Sequence, residues 1–326
     1  MSNNKKRLVF FNEKFIPENE AKISIYDSAL MFGDMVFEMT RSFKKKQFLL
    51  EQHIDRLLLG IKILRIPLKY SKKELVNFCH QTIEKNENAF EKDDEHRLMI
   101  DVSRGLLGIY HGVEGLKPGA NLIIADFPLK WTVHGMSVLF DQGINAVIPS
   151  QRAIPSMLMD PKIKNRSRLF YLTANIETSL FKGENNWALL LDTNGFISEG
   201  TGDNFFIVKD NKVFTPKGHN ILRGISRDYV MNYLCKKLKI EVYEKDLEPY
   251  DVYDADEAFM TGTPFCMLPV TSLNGLKIRD GNRGKIFNKI LLNWNKSVGI
   301  NIEDQIKNWD KKNNSLTTQL TPYKFK

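Results

Sequence analysis

The sequence predicts an α+β chain in two domains, and three observations carry that reading. Strand-like runs and amphipathic helical stretches are mixed along the chain. The pattern closes near Pro128 and begins again at Met136, and 326 residues suit two units that share an interface. The composition agrees: 42% of residues are hydrophobic and 26% charged, too apolar for intrinsic disorder. The expected organisation is a small N-terminal α/β domain over residues 1–128, a linker over 129–135, a larger domain over 136–310 and a polar tail over 311–326.

The elements follow in order. Leu8 to Phe11, Phe15-Ile16 ended by Pro17, Met35 to Phe43 and, after a lysine-rich turn, Phe48 to Leu50 read as strands and hairpins. Ile54, Leu57, Leu58, Ile61 and Leu64 recur at three-and-four spacing, so they form one apolar stripe of a helix that Pro67 stops. Ser71 with Glu74 makes a capping box for a second helix carrying Leu75, Phe78, Cys79, Thr82 and Ile83. Strands resume at Arg97 to Ser103 and Asn121 to Phe127. In the second domain Met136 to Phe140 and Ile144 to Ile148 read as strands, followed by a Pro-containing loop and a helix over about 167–181. Two hairpins come next, Trp187 to Asp192 with Phe196 to Glu199, and Asn204 to Lys209 with Lys212 to Thr215. Ser226 is expected to cap a helix, and Gly284 to Val298 presents Ile286, Ile290, Leu291 and Trp294 along another.

Several function classes lose ground on composition alone. Cys79, Cys235 and Cys266 form no CxxC pair, and the six histidines show no HExxH or paired spacing, so neither a disulfide framework nor a metal site is expected. The net charge of +8 comes from short lysine clusters without interleaved aromatics, which read as solvated lysines and not as a nucleic-acid surface. Apolar runs such as Ala188 to Leu191 fall far below the roughly 20 residues of a membrane span. Lys5, Lys6 and Arg7 precede only four apolar residues, so no secretory signal is read and a cytoplasmic location is expected. Gly281-Asn-Arg-Gly284-Lys285 lacks P-loop spacing, and Gly224-Ile-Ser226-Arg is not a nucleophile elbow because residue 228 is Asp.

What remains is a series of loop segments: Gly33-Asp34, His53-Ile-Asp-Arg56-Leu57, Ile163-Lys164-Asn-Arg-Ser-Arg168-Leu169, Asn194-Gly-Phe-Ile-Ser-Glu199-Gly, Thr215-Pro216 with Leu222 to Arg227, and Ala255-Asp-Glu257-Ala-Phe-Met-Thr-Gly-Thr263. One at a time each has an ordinary reading as a surface charge, a turn or a helix cap. Together and in this order, over about residues 8–295, they resemble the class IV aminotransferase family. These are the fold type IV pyridoxal-phosphate enzymes that include branched-chain and D-amino-acid aminotransferases and aminodeoxychorismate lyase.

The resemblance implies a D-amino-acid-aminotransferase-like fold, with pyridoxal 5'-phosphate between a small α/β N-terminal domain and a larger β-barrel-like C-terminal domain that binds it. It implies an amino group exchanged between an amino acid and a 2-oxo acid, and a homodimer. Lys164 would form the Schiff base with the cofactor aldehyde, as an amine in a desolvated pocket can. Glu199 would face the pyridine nitrogen and keep it protonated, so that the ring accepts electrons. Arg56, Thr263 and the N–H groups of Ile225 and Ser226 would hold the phosphate, and Leu222 would pack on the ring. Lys162 shares strand parity with Lys164, so only the family spacing to Ser167 and Leu169 separates the two.

Substrate contacts are expected from Phe37 and Met39 and from an arginine that holds a carboxylate. Arg41, Arg97 and Arg104 are candidates, and Arg104 is the favoured one because it lies at a strand end beside glycine. An arginine at Arg104 resembles the carboxylate trap of D-amino-acid and lyase members, and one at Arg97 an acidic-side-chain site of branched-chain members. The chain also departs from the branched-chain pattern. Pro264 supplies no N–H where that subfamily offers one to the substrate, and Met39 and Phe32 stand where small and phenolic residues are usual. Aminodeoxychorismate lyase or D-amino-acid aminotransferase chemistry on the same fold, and a basic non-catalytic binding protein, are the alternative readings.

Overall fold

The computed structural model describes residues 6–116 and 118–312. Packing divides the chain into a first unit, Met1–Trp131 with Ile163–Arg168, and a second, Thr132–Lys162 with Leu169–Lys326. The chain therefore leaves the first unit, re-enters it over a short strip and leaves again, where the sequence pattern pointed to one linker.

In the first unit, strands β1 (Leu8–Phe11), β2 (Lys14–Pro17), β3 (Met35–Met39), β6 (His96–Ser103) and β7 (Asn121–Pro128) form a five-stranded sheet in the order β2-β1-β7-β6-β3. The intervening strands β4 (Ser42–Phe43) and β5 (Lys46–Gln47) pair as a separate hairpin. Helix α1 (Ser28–Phe32) is capped by Asp27, whose side chain accepts from the Ala29 N–H. Helices α2 (Leu50–Leu64) and α3 (Lys72–Asn86) carry the expected apolar stripe and capping box. Leu50, Ile54, Leu57 and Ile61 of α2 and Leu75 and Cys79 of α3 bury against Phe10, Val36, Leu98, Ile100, Val102, Leu122 and Ile124.

Because side chains alternate along a strand, that core fixes what the other face of the sheet presents. Met35, Phe37 and Met39 of β3 lie there with Arg97, Met99 and Asp101 of β6, in a register that pairs Phe37 with Asp101 and Met39 with Met99.

The second unit is built on a nine-stranded sheet. Its strands are β8 (Ile144–Val147), β9 (Asn186–Leu191), β10 (Ile197–Gly200), β11 (Asn204–Lys209), β12 (Lys212–Pro216), β13 (Val242–Lys245), β14 (Glu257–Gly262), β15 (Cys266–Leu273) and β16 (Leu276–Lys277). The run β10-β9-β8-β15-β14-β11 closes on itself through the β10–β11 pairing, which makes a six-stranded barrel. Around it stand α5 (Leu139–Gln142), α6 (Leu169–Ser179), α7 (Ile225–Asp228), a π-helical stretch Tyr229–Cys235, α8 (Lys236–Leu238), α9 (Pro249–Tyr253), α10 (Lys285–Val298) and α11 (Ile302–Lys312). Helix α4 (Lys130–Val133) spans the change of unit. No helix among the described residues is long and apolar enough to cross a membrane.

Four expectations are corrected. The strand expected over Met35 to Phe43 ends at Met39, and β4 follows separately. Phe48 to Leu50 is not a strand: the hairpin turns earlier, at Lys44 and Lys45 (φ 50° and 66°), whose N–H groups donate to the buried Glu95 carboxylate at 2.7 and 2.9 Å, and Leu49 at φ 53° turns the chain into α2. Met136 to Phe140 runs through a turn into α5, because a short apolar run does not distinguish helix from strand. Ser226 lies inside α7, whose N-cap is Gly224 without a side-chain cap. Helix α11, with Ile302, Ile306 and Trp309 buried at helical spacing, runs two residues into the polar tail expected over 311–326, as far as Lys312. The rest of that tail, 313–326, lies outside the described residues.

Strand β14 also anchors α10. The Glu257 carboxylate accepts the Ile286 and Phe287 N–H groups at 2.8 Å each, an anion at a helix N-terminus. A Cβ at Gly284 would lie 1.8 Å from Glu257 Cδ. Gly284→Ala should therefore lower the unfolding free energy by about 1–3 kcal/mol, the usual cost of forced overpacking, read as a fall in the denaturation midpoint.

Candidate active site

The strip Ile163–Arg168 extends the first unit beside β3. Phe37 N–H donates to the Lys164 carbonyl at 2.9 Å, Arg166 N–H donates to the Met35 carbonyl at 3.0 Å, and Val36 bridges Asn165. Ile163 is partly buried and packs against the unit's core, close enough to Gly60 that a Cβ there would lie 3.6 Å from the Ile163 side chain. The strip's cations then crowd one aromatic ring: Lys164 Nζ lies 4.7 Å and the Arg166 guanidinium 3.7 Å from the Phe37 ring centroid. Arg166 also donates to Asp101 at 2.8 and 3.0 Å, so Asp101 anchors the strip to the sheet face. Phe37, Met39, Arg97 and Lys164 are thus brought into one neighbourhood. Lys162 is placed differently, with its Nζ on the Asp160 carboxylate at 2.8 Å and the His219 carbonyl at 3.0 Å.

Arg56 is held by a network that the sequence did not single out. Its Nε and Nη2 donate to Glu38 at 2.6 and 2.8 Å, and His53 Nδ1 lies 2.7 Å from the same carboxylate. Glu38 is fully buried. Burial opposes its charge, but Arg56 and His53 overcome that and hold the carboxyl well below its ordinary range. Burial pushes the His53 imidazole down, against the pull of Glu38, and Arg56 and Lys164 push it the same way. The available signal was an acidic residue inside the apolar run Met35 to Met39, facing a His-x-x-Arg step on one side of a helix.

The three candidate arginines differ sharply in surroundings. Arg104 donates to Asp34 through Nε and Nη2 at 2.5 and 3.2 Å and to the carbonyls of Arg65 and Leu64 at 3.0 and 2.7 Å, so its fork is taken up within the protein. Arg41 is buried, with its guanidinium carbon 3.8 Å from the Phe43 ring centroid and Nε donating to the Ser42 carbonyl at 3.3 Å. Arg97 is 6% exposed, its Nη2 meets only Met39 Sδ at 3.5 Å, and its Nε and Nη1 have no hydrogen-bond partner among the described residues. Burial and then the nearby Arg41 charge push Arg97 down to about 9. Two buried guanidiniums side by side, one with unused donors, call for an anion.

The second unit gathers the remaining candidates around Glu199 on β10. The carboxylate is 4% exposed. It accepts from Tyr171 Oη at 2.8 Å, from Asn204 Nδ2 at 2.9 Å and from the Leu222 N–H at 3.1 Å to each oxygen. Asn204 ties this group together, because its amide also donates to the Leu222 carbonyl at 2.9 Å. Gly224 makes room for it: a Cβ there would lie 2.0 Å from Asn204 Oδ1. From Gly224 the chain enters α7, so the N–H groups of Ile225 and Ser226 belong to a first helical turn, where donors lack intrahelical partners. Asn204 is paired in register with Thr261 on β14, and Thr263 and Pro264 follow in the turn after that strand. Thr261 Oγ1 is buried and has no hydrogen-bond partner among the described residues.

The family model for amino-transferase class IV matches residues 35–273. The branched-chain-amino-acid aminotransferase of Salmonella typhimurium is 33% identical over 298 residues, 89% of this chain and 92% of that one. The crystal structure of the Escherichia coli branched-chain amino acid aminotransferase superposes with a TM-score of 0.78 at 31% identity, covering 88% of this chain and 92% of that one. A branched-chain amino acid aminotransferase from T.th., complexed with N-(5'-phosphopyridoxyl)-L-glutamate, gives a TM-score of 0.77 at 25% identity, covering 94% and 98%. The chain belongs to the class IV aminotransferases, the pyridoxal-phosphate-dependent transferases of fold type IV.

Proposed function

We propose that this chain transfers an amino group between a branched-chain-type amino acid and a 2-oxo acid in two half-reactions at one site, and that Arg97 holds a substrate carboxylate. The observation that carries the substrate reading is the sheet face itself. Phe37, Met39 and Met99 give it apolar walls, while Arg97 beside Arg41 gives it an uncompensated positive charge. A 2-oxo acid and an amino acid are both carboxylates, and arginine pairs with a carboxylate through two parallel charge-assisted bonds. Arg104, favoured by its place in the sequence, is committed to Asp34 and two carbonyls, which leaves Arg97 as the better carboxylate partner.

The residues present fit pyridoxal phosphate. Within the second unit, Thr261 Oγ1 is an orphaned buried donor beside the Glu199 cluster and the start of α7 offers N–H groups suited to a phosphate; within the first, Lys164 provides an amine. When bound, that cofactor supplies an electron sink for the bond broken at the substrate's α-carbon. Lys164 Nζ would tether the cofactor and then carry the proton to and from the substrate. Glu199 would keep a positive charge on the ring nitrogen, and Leu222 would pack against the ring. Arg56, oriented by Glu38, and Thr263 with the Ile225 and Ser226 N–H groups would bind the phosphate. Pro264 supplies no N–H, which leaves the substrate carboxylate to a side-chain partner. A homodimer belongs to the same reading, supported by the exposed apolar residues Ile25, Leu30 and Phe32.

Reduction of the holoenzyme with borohydride followed by peptide mapping should put the pyridoxyl label on Lys164, and a label on Lys162 would reassign the tether. Because burial and the Arg41 charge lower the Arg97 pKa to about 9, binding of a simple carboxylate inhibitor should be strongest at neutral pH and weaken as the pH rises past that value. Arg97→Met should weaken binding by one to two decades, the worth of a charged hydrogen bond of about 1.5–3 kcal/mol, and abolish that pH step. An unchanged profile in Arg97→Met, with the loss appearing in Arg104→Ala, would return the carboxylate to Arg104.

A further inference from the structure

We propose that Tyr171 is a positioning residue for Glu199: its phenol O–H, carried on α6, completes the set of donors that fixes the carboxylate, and so governs how firmly a proton is kept on the cofactor's ring nitrogen. The inference rests on the reading that Glu199 faces that nitrogen. Tyr171 Oη donates to Glu199 Oε1 at 2.8 Å, while Asn204 Nδ2 takes Oε2 at 2.9 Å. The two side chains therefore grip different oxygens, and the Leu222 N–H lies 3.1 Å from both. A phenol and an amide on opposite oxygens, with the Leu222 N–H between them, hold the rotation of the carboxylate about its last bond.

Helix α6 is well placed to hold the phenol still. The Tyr171 ring packs on Phe170 at 4.1 Å between centroids, and both pack on the cluster of Ala153, Ala174, Ala188 and Leu190. One turn further along, Asn175 Oδ1 accepts from Thr201 Oγ1 at 3.2 Å. The helix thus touches the chain on either side of Gly200. The same helix begins where the Lys164 strip ends, so one continuous segment carries both the amine and the phenol.

The chemical consequence has a definite sign. A phenol donor stabilises a carboxylate and lowers its appetite for a proton. Without it, Glu199 would hold a proton more tightly and compete for the one on the ring nitrogen, so the ring would carry less positive charge and the bound cofactor's visible band would change at a higher pH. The test is a pH titration of the visible absorption band of the holoenzyme, with kcat, KM and cofactor affinity of the apoprotein measured alongside. Tyr171→Phe should raise the pH of the band's transition by about half a unit or more and lower kcat about tenfold, the worth of about 1.4 kcal/mol, with KM within about twofold and the thermal midpoint near that of the parent. In a Glu199→Gln background the same change should alter kcat less than about twofold, because the two side chains act as one unit. Asn175→Ala, which loosens the same helix without removing the phenol, should leave the transition where it was.

An unmoved transition in Tyr171→Phe, fully multiplicative losses in the double variant, or an equal shift in Asn175→Ala would each overturn the assignment. If Glu199→Gln alone leaves the band and its transition unchanged, the underlying reading of Glu199 fails instead.

Discussion

Backbone pairing between β3 and the strip Ile163–Arg168 is the constraint from which the chemistry of the first unit follows. It brings Lys164 against Phe37 and seats Arg166 on Asp101, and it does so with main-chain hydrogen bonds and Ile163 packed against the core. An amine on a free loop would sample water and stay a fully solvated cation. Here it shares an aromatic face with two arginines, so its charge is crowded from several sides. The two-sided sheet does the rest: one face is closed by α2 and α3, and strand alternation delivers Phe37, Met39 and Arg97 together on the other.

Charge is managed in opposite ways within that unit. Glu38 is a buried anion with full compensation, two bonds from Arg56 and one contact with His53. Arg97 is a buried cation with almost none among the described residues. A protein tolerates the second arrangement poorly unless a ligand completes it, since burying an unpaired charge is costly. The contrast separates a charge whose partners lie within the fold from one whose donors are left unused among the described residues. Arg104, paired with Asp34 and two carbonyls, has its partners within the fold, as Glu38 does.

Much of this was legible in the residues, for reasons that differ by element. The stripe of α2 and the Ser71–Glu74 box of α3 are local patterns whose meaning does not depend on tertiary context, and both formed as read. Met136 to Phe140 and Phe48 to Leu50 failed because a short apolar run carries no period long enough to separate helix from strand. Motif order pointed to Lys164, Glu199 and the Gly224 to Ser226 turn, all of which sit in chemically coherent surroundings. Tyr171, Asn204 and Thr261 were invisible, because what matters about them is a partner far along the chain or, for Thr261, the lack of one among the described residues. The choice among three arginines was equally closed to sequence: pairing with Asp34 is a fact of the fold, and nothing in Ser103-Arg104-Gly105 announces it.

The return of Ile163–Arg168 to the first unit also bears on the order in which the chain can fold during synthesis. The first five-stranded sheet needs nothing beyond Pro128 for its own pairing, and N-terminal units ordinarily fold as they emerge. Its edge at β3 nonetheless stays unfinished until Arg168 has been made, with part of the second unit already synthesised in between. An open strand edge is a template for wrong pairing, and the contact that closes it is long-range and so slow to form. The segment that carries Lys164 is therefore also the one that completes the strand edge at β3.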